Sequence, residues 1–241
     1  MPNVHTSPII SLLCPSRGRP ESFHQMIDSA YSLADEPGKV EVVARLDSDD
    51  VSLPKYGNEW IVGPRSTLSG LWNECAAACS GDIMFQMGDD IRFRTPGWDS
   101  IVRGAAAEYP DGIYLIYGRD GIADKRMATH GATSRVWYET LGHFTWPHFS
   151  SDYGDLYRHT IAARLGRLHF IEQLYTEHLH PAVDKAPMDE THRERVQRDK
   201  ADKNHEVWEK VQPHLLDAAT QLREVIDRAA MNQAQSPTGP R

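Results

Sequence analysis

The sequence predicts an α/β fold, a largely parallel sheet flanked by helices, followed by a helical C-terminal extension. Two observations carry the first part. Short apolar runs of strand length alternate with helical periodicity up to about residue 90, the pattern of parallel strands joined by crossover helices. Three of those runs end in polar clusters, at 15–19, 47–50 and 88–90, so the chemistry collects along the carboxyl edge of the sheet, where open parallel sheets bind ligands. The extension follows from a change of composition near Asp184, after which the chain reads as charged helix.

Each element has its own signal. Residues 4–14 form a buried-strand run that stops at a loop of turn formers, Pro15, Ser16, Arg17, Gly18 and Arg19. A helix follows, with Pro20 suited to its first turn and Phe23, Met26, Ile27, Ala30 and Tyr31 on one face. Residues 40–46 give a second strand running into Asp47, Ser48, Asp49 and Asp50, and residues 60–62 a short third one. Leu68, Leu71, Trp72, Cys75, Ala76 and Cys79 mark an amphipathic helix that stops near Gly81. A fourth strand, 83–87, runs into Asp89 and Asp90. Beyond Ile91 the pattern loosens to a strand at 113–117, a loop at 118–129, a short helix at 134–141 and a helix at 155–165 closed by Gly166. A last strand at 168–175 leads to Glu177, His178, Leu179, His180 and Pro181. Val207, Val211, Leu215, Ala218, Leu222 and Ile226 form a sparse apolar stripe in the extension, and residues 230–241 carry no core-forming pattern and are expected to be disordered. The expected division is a main domain at 1–183, the helical extension at 184–229 and a tail at 230–241.

Composition narrows the function. With 241 residues the chain can bury one full α/β core, and 40% hydrophobic with 25% charged residues is the balance of a soluble globular protein. No apolar run approaches the roughly 18 residues that cross a bilayer, and the stretch from Ile9 to Leu13 is too short for a signal-peptide core, so no membrane partner and a cytoplasmic location are expected. Cys14, Cys75 and Cys79 lack zinc-ligand spacing and read as reduced, buried residues. The net charge of −8 argues against a general polyanion binder while leaving room for a local basic groove.

Five motifs then resemble one family. The 14–20 loop after the first strand, Asp47–Asp50 with Asn73 in the next helix, the 81–91 segment, the 151–158 segment and the 177–181 segment are similar, in that order, to the motifs of GT-A glycosyltransferases, family 2 above all. The resemblance spans residues 8–181 and implies a GT-A domain that moves a sugar from a nucleotide-diphosphate sugar to a hydroxyl, with Mn²⁺ or Mg²⁺ as cofactor. Asp90 stands at the place of the metal-binding aspartate, and one of His178 and His180 at that of the metal histidine. A carboxylate–imidazole pair of this kind suits a hard cation that bridges phosphate oxygens. Gly88 departs from the family, which carries an aspartate there, so Asp89 is left either to take over a ribose contact or to leave it unmade.

Pro15, Ser16, Arg17 and Arg19 form the expected nucleotide-binding loop, and Arg65, at a helix entrance, is a further diphosphate candidate because guanidinium forks match phosphate oxygens. Asp47 and Asp49 can accept hydrogen bonds from base and ribose, while Asp50 reads as a turn cap. Asp152 is the candidate general base of an inverting transfer, with Asp155 as the alternative because Gly154 adds a residue to the motif. The plain alternatives are turn caps, solvated arginines and surface histidines. The acceptor is open. The compact chain is similar to bacteriophage glycosyltransferases that decorate hydroxymethylated bases, which implies 5-hydroxymethylcytosine in DNA as acceptor and the host cytoplasm as location. Basic clusters at Lys125, Arg126 and Arg135 and at Arg193, Arg195, Arg198, Lys200 and Lys203 bear on that reading. Saccharides and small molecules are the competing acceptors; a sugar nucleotidylyltransferase is disfavoured because the first loop holds a single glycine, and a non-catalytic sugar-binding module by the retained Asp90, Asp152 and His178.

Overall fold

The structure is a computed structural model that describes residues 7–57 and 59–235. It starts with β1 (Ile10–Ser16), α1 (Pro20–Leu33), β2 (Val40–Asp47), β3 (Ile61–Gly63), α2 (Leu68–Ala78) and β4 (Ile83–Gln86). Next come β5 (Ile91–Phe93), α3 (Trp98–Ala107), β6 (Leu115–Arg119), β7 (Gly131–Ser134) and α4 (Arg135–Leu141). The chain ends with α5 (Gly154–Leu165), β8 (Leu168–His178), α6 (Glu190–Asp202) and α7 (Asn204–Gln235). The eight strands lie in the order β3-β2-β1-β4-β7-β6-β8-β5.

The first half of that order is the expected parallel sheet: β2 pairs with β3, and β1 with β2 and β4, all parallel. Side chains alternate across it as strand geometry requires. Ile10, Leu12 and Cys14 enter the core formed with Phe23, Met26 and Ala30 of α1, whereas Leu13 enters the opposite one with Trp72, Cys75 and Ala76 of α2. All three cysteines are buried and free. The second half is mixed, because β7 runs antiparallel between β4 and β6 while β6 and β8 are parallel.

Several boundaries differ from the sequence reading. The first strand continues through Pro15 and Ser16, which sit in register with Arg45 and Leu46 of β2. Residues 4–6 of the expected strand lie outside the described residues. The elements β5, α3 and β7 were not expected. The last strand extends to His178 because β8, after an irregularity opposite Gly118 and Arg119, pairs antiparallel with β5. The extension is two helices, broken at Lys203 with φ +49°. Its second helix, α7, buries Val211, Leu215, Ala218 and Leu222 in the core that includes Tyr157 and Ile161 of α5. Residues 230–235, expected to be disordered, continue α7: Ala230, Met231, Gln233, Ala234 and Gln235 sustain a helix by intrinsic propensity without an apolar stripe. The remainder of the expected tail, 236–241, lies outside the described residues. No described helix is long and apolar enough to cross a membrane.

Candidate active site

The carboxyl ends of β1, β2 and β4 open into one cleft of about 260 Å³, and almost every predicted site residue reaches it: among them Arg17, Arg19, Asp47, Asp90, Asp152 and His178. Pro15, Ser16, Arg65, Asp89 and His180 line it as well. Asp49 stands outside that lining, exposed, and pairs with Arg17, which belongs to it.

The 15–19 loop is shaped by Asp50 and Tyr56. Gly18 turns at φ +70° and donates its N–H to Asp50 Oδ2 at 2.7 Å, while Asp50 Oδ1 accepts from Ser52, so Asp50 is the turn-builder the sequence suggested. The buried Tyr56 hydroxyl accepts the Arg19 N–H at 2.8 Å and lies 3.0 Å from Ser16 Oγ, a contact the sequence did not announce. At the end of β2, Asp47 is buried and accepts from Arg17 Nη1 at 3.2 Å through Oδ2. Its Oδ1 is buried without a hydrogen-bond partner. Burial holds this carboxyl above its ordinary range despite the pull of Arg17.

The two acids after β4 have different fates. Asp89 turns inward, accepting from Ser16 Oγ at 2.6 Å and from Arg19 Nη1 at 3.1 Å. Burial, together with the charge of Asp90, pushes Asp89 up to about 6 against the pull of Arg19. Asp90 faces the cleft. Its Oδ2 lies 3.5 Å from His178 Nε2, 3.6 Å from Arg19 Nη1 and 3.8 Å from His192 Nε2. Burial alone would raise its carboxyl, yet His178 and Arg19 hold it well below the usual range. Gly88 makes this placement possible: a Cβ there would stand 2.6 Å from Asp90 Oδ1. The absence of a side chain at 88 thus leaves space that the Asp90 carboxylate fills.

The β5–β8 pairing sets Ile91 opposite His178, which brings the histidine beside Asp90, and the Leu179 N–H donates to the Asp90 carbonyl at 2.9 Å. Behind His178 stands a buried His130, ring edge to ring face at 4.8 Å. Burial and the neighbouring His178 push His130 down to about 3, so it is neutral. Ligating atoms of Asp120, His130 and His178 lie within 4.8 Å of one another, a second grouping that could suggest a cation site. Chemistry argues against it. Asp120 Oδ1 already accepts the N–H groups of Ile122, Ala123 and Asp124, and Oδ2 accepts Thr129 Oγ1 at 2.6 Å. Asp120 therefore organises the 120–129 loop, and Asp90 is the carboxylate that faces open space. The two candidate histidines differ in their surroundings. His180 Nδ1 accepts the Ala182 N–H at 3.1 Å, which puts the proton of its neutral ring on Nε2, whereas His178 directs Nε2 at Asp90.

Across the cleft lies α6, which the sequence presented only as a charged helix. Its N-cap residue Asp189 grips Arg19 at 2.7 and 2.8 Å. Thr191 Oγ1 donates to the Arg17 carbonyl at 3.0 Å, Glu194 pairs with Arg65, and Arg195 pairs with Asp152. Arg198 Nη2 donates to the Ser66 carbonyl at 2.9 Å. Each arginine expected at the diphosphate is thus already in an ion pair with α6 or its cap, since Arg17 also lies 3.9 Å from Glu194. Asp189, Thr191, His192, Glu194 and Arg195 are site residues that the sequence reading missed. Asp152 precedes α5 without capping it, since Tyr153 holds the N-cap position. Asp155, in the first turn, accepts the Leu156 N–H at 2.7 Å, and burial pushes its carboxyl up.

Several residues of the basic clusters are engaged within the fold. Arg135 donates to the carbonyls of Cys79 and Gly81, Arg126 to those of Ile122 and Ala123, Arg193 pairs with Glu190, and Lys203 with Glu206.

No protein-family model matches the chain, and no curated protein sequence matches it. Solved structures do. The mannosyltransferase PcManGT from Pyrobaculum calidifontis, in complex with GDP-Man and Mn²⁺, superposes with a TM-score of 0.61 at 15% identity, over 97% of this chain and 77% of that one. Glucosyl-3-phosphoglycerate synthase from Mycobacterium tuberculosis, in complex with Mg²⁺ and UDP, gives 0.53 at 19% identity, over 74% of each chain. Residues 1–349 of TarS from S. aureus, in complex with UDP-GlcNAc, give 0.51 at 16% identity, over 70% of this chain and 57% of that one. The curled eight-stranded sheet with flanking helices is the GT-A fold that these glycosyltransferases share.

Proposed function

We propose that this protein is a nucleotide-sugar-dependent glycosyltransferase that uses Mn²⁺ or Mg²⁺. The observation that carries the proposal is the meeting of Asp90 Oδ2 and His178 Nε2 at 3.5 Å, at the strand-end cleft where Arg17, Arg19, Asp47 and Asp152 also converge. The residues fit a divalent cation. Asp90 Oδ2 and His178 Nε2 face each other, and the groups around that oxygen, at 3.5 to 3.8 Å, stand farther off than a normal hydrogen bond. Neighbours of the same fold hold GDP-Man with Mn²⁺ or UDP with Mg²⁺, which supports the reading.

Asp90 and His178 would hold the cation, whose charge, when it is bound, stabilises the diphosphate as it leaves. Every other role falls to the chain itself. Asp47 Oδ1, which has Arg45 Nη1 at 3.8 Å but no hydrogen bond, accepts an N–H of the nucleobase. Arg17, Arg19 and Arg65 exchange carboxylates of the protein for diphosphate oxygens. Asp152, about half exposed on the opposite wall, takes the proton of the acceptor hydroxyl, so that attack comes from the face away from the leaving group and inverts the anomeric centre. Asp155 lines the same cleft, with one oxygen engaged by the helix backbone.

For the acceptor, hydroxymethylated DNA is the demanding case, because a duplex is bound through clustered cations. The arginines that bear on it are largely engaged within the fold, and the net charge is −8. We therefore favour a saccharide or small hydroxyl compound over 5-hydroxymethylcytosine. Incubating the protein with a panel of nucleotide-sugars and Mn²⁺, with saccharides in one arm and hydroxymethylated DNA in the other, tests both levels. Release of nucleoside diphosphate supports the activity. No release from any donor would overturn it, and hexose on the modified base would reverse the choice of acceptor.

A further inference from the structure

The first turn of α6 presents a second imidazole to Asp90. Asp189 caps the helix by accepting the His192 N–H at 2.9 Å, and the same Oδ1 lies 2.8 Å from His192 Nδ1. A carboxylate only accepts, so the ring donates through Nδ1 and leaves the Nε2 lone pair free. Arg19 Nη2 also approaches Nδ1, but it donates to Asp189 Oδ1 at 2.8 Å and needs no acceptor from the ring. His192 is 4% exposed, and its Nε2 lies 3.8 Å from the oxygen that His178 Nε2 approaches at 3.5 Å. A carboxylate that fixes the far nitrogen of an imidazole is the usual support for a metal-ligating histidine. An ion pair of His192 with Asp90 would be the simpler account. Arg19 already supplies a charge partner 3.6 Å from that oxygen, and at 3.8 Å the His192 nitrogen stands beyond hydrogen-bond distance of it, so the ring makes no direct bond to the carboxylate.

We propose that His192, through Nε2, is a third protein ligand of the divalent cation held by Asp90 and His178. The proposal rests on reading those two residues as a cation site. One carboxylate and two imidazoles tilt preference from Mg²⁺ toward Mn²⁺ and other transition-metal cations. It also fastens α6, with its grip on Arg17, Arg19 and Arg65, over the donor site when the cation is present.

Mn²⁺ binding to the full chain, followed by calorimetry and by pulsed EPR that counts coordinated imidazole nitrogens, tests this without any turnover. The wild type should show two such nitrogens. His192→Ala and His192→Gln should each show one and bind Mn²⁺ about ten- to a hundredfold more weakly, while His180→Ala keeps both nitrogens. His192→Cys should lose Mn²⁺ yet bind Cd²⁺ tightly, which a packing role would not produce. A single nitrogen in the wild type, lost in His178→Ala, would overturn the assignment of His192 and leave the Asp90–His178 site standing. The wild-type count needs no variant to fold. Mn²⁺ binding unmoved by Asp90→Ala and His178→Ala would overturn the underlying site, and the third ligand with it.

Discussion

Asp90 and His178 stand 88 positions apart in the chain, and their side chains meet at 3.5 Å because the short strand β5 pairs with the end of β8. The acid arrives from the parallel half of the sheet and the imidazole from the mixed half, so the site exists only once both halves are joined. Gly88 leaves the room in which Asp90 can turn toward the histidine.

Gly88→Ala is accordingly expected to damage the site more than the fold. The new Cβ would lie 2.6 Å from Asp90 Oδ1, too close for any real contact, and the side chain of Asp90 is the part that can move. Calorimetric titration with Mn²⁺ should show affinity falling by about tenfold or more, an effect in the range of disturbing a metal ligand's support. Thermal unfolding should shift little. Unchanged Mn²⁺ affinity would show that Asp90 is not positioned by the missing side chain.

The strand ends were legible because an apolar run followed by Asp47 or by Asp89 and Asp90 has few other readings. What remained hidden had physical reasons. β5 is three residues long, too short to show a period, and α3 follows a Pro96–Gly97 break. His192 sits in a helix that carries charge on every side, so it looked solvated, whereas Asp189, Thr191, Glu194 and Arg195 all turn their polar groups to partners across the cleft. What distinguishes His180 from His178 is the hydrogen bond from Ala182, which no spacing rule supplies.

The proposed general base should be separable from its neighbour by kinetics. Asp152→Asn is expected to retain donor binding and to lose transfer by about a hundredfold or more, the usual range for removing a base. Asp155→Asn should cost less, since one of its oxygens already accepts the Leu156 N–H. Initial rates with saturating donor, together with the anomeric configuration of the product by NMR, decide. A nearly active Asp152→Asn with an inactive Asp155→Asn would exchange the two roles.

Stability should depend on Asp99 in the acid range. This buried carboxylate accepts the N–H groups of Asp35 and Glu36 and pairs with Arg103 Nη1 at 2.7 Å, tying α3 to the end of α1. Burial opposes its ionisation, but those donors win and hold its carboxyl below the ordinary value. A depressed folded pKa gives stability that is complete above the unfolded value, about 3.9, and is lost as the pH falls through the folded one. Asp99→Asn should cost about 2 kcal/mol at pH 7 by denaturant unfolding, and the gap to the wild type should narrow toward pH 3. An equal gap at both pH values would place the cost in packing rather than charge.

Glu194→Gln is expected to improve donor binding. Its carboxylate pairs with Arg65 and lies 3.9 Å from Arg17, and both arginines are expected to receive the diphosphate, so donor and Glu194 compete for them. The competition is modest. Both side chains of the Arg65 pair are about one-third exposed, and ion pairs of that kind contribute about 0.2–1 kcal/mol. Removing the competitor should then lower the donor KM by about two- to fivefold at low salt, with the advantage shrinking as salt screens the pair. Arg65→Ala should raise the same KM, and in the Arg65→Ala background Glu194→Gln should have little further effect, because the pair it relieves is gone. The alternative role, in which Glu194 only anchors α6, predicts the reverse: a higher KM and a lower unfolding temperature in Glu194→Gln, the same with and without Arg65. The double-mutant cycle in donor KM, measured beside thermal unfolding, separates a carboxylate that competes for the arginines from one that merely holds the helix in place.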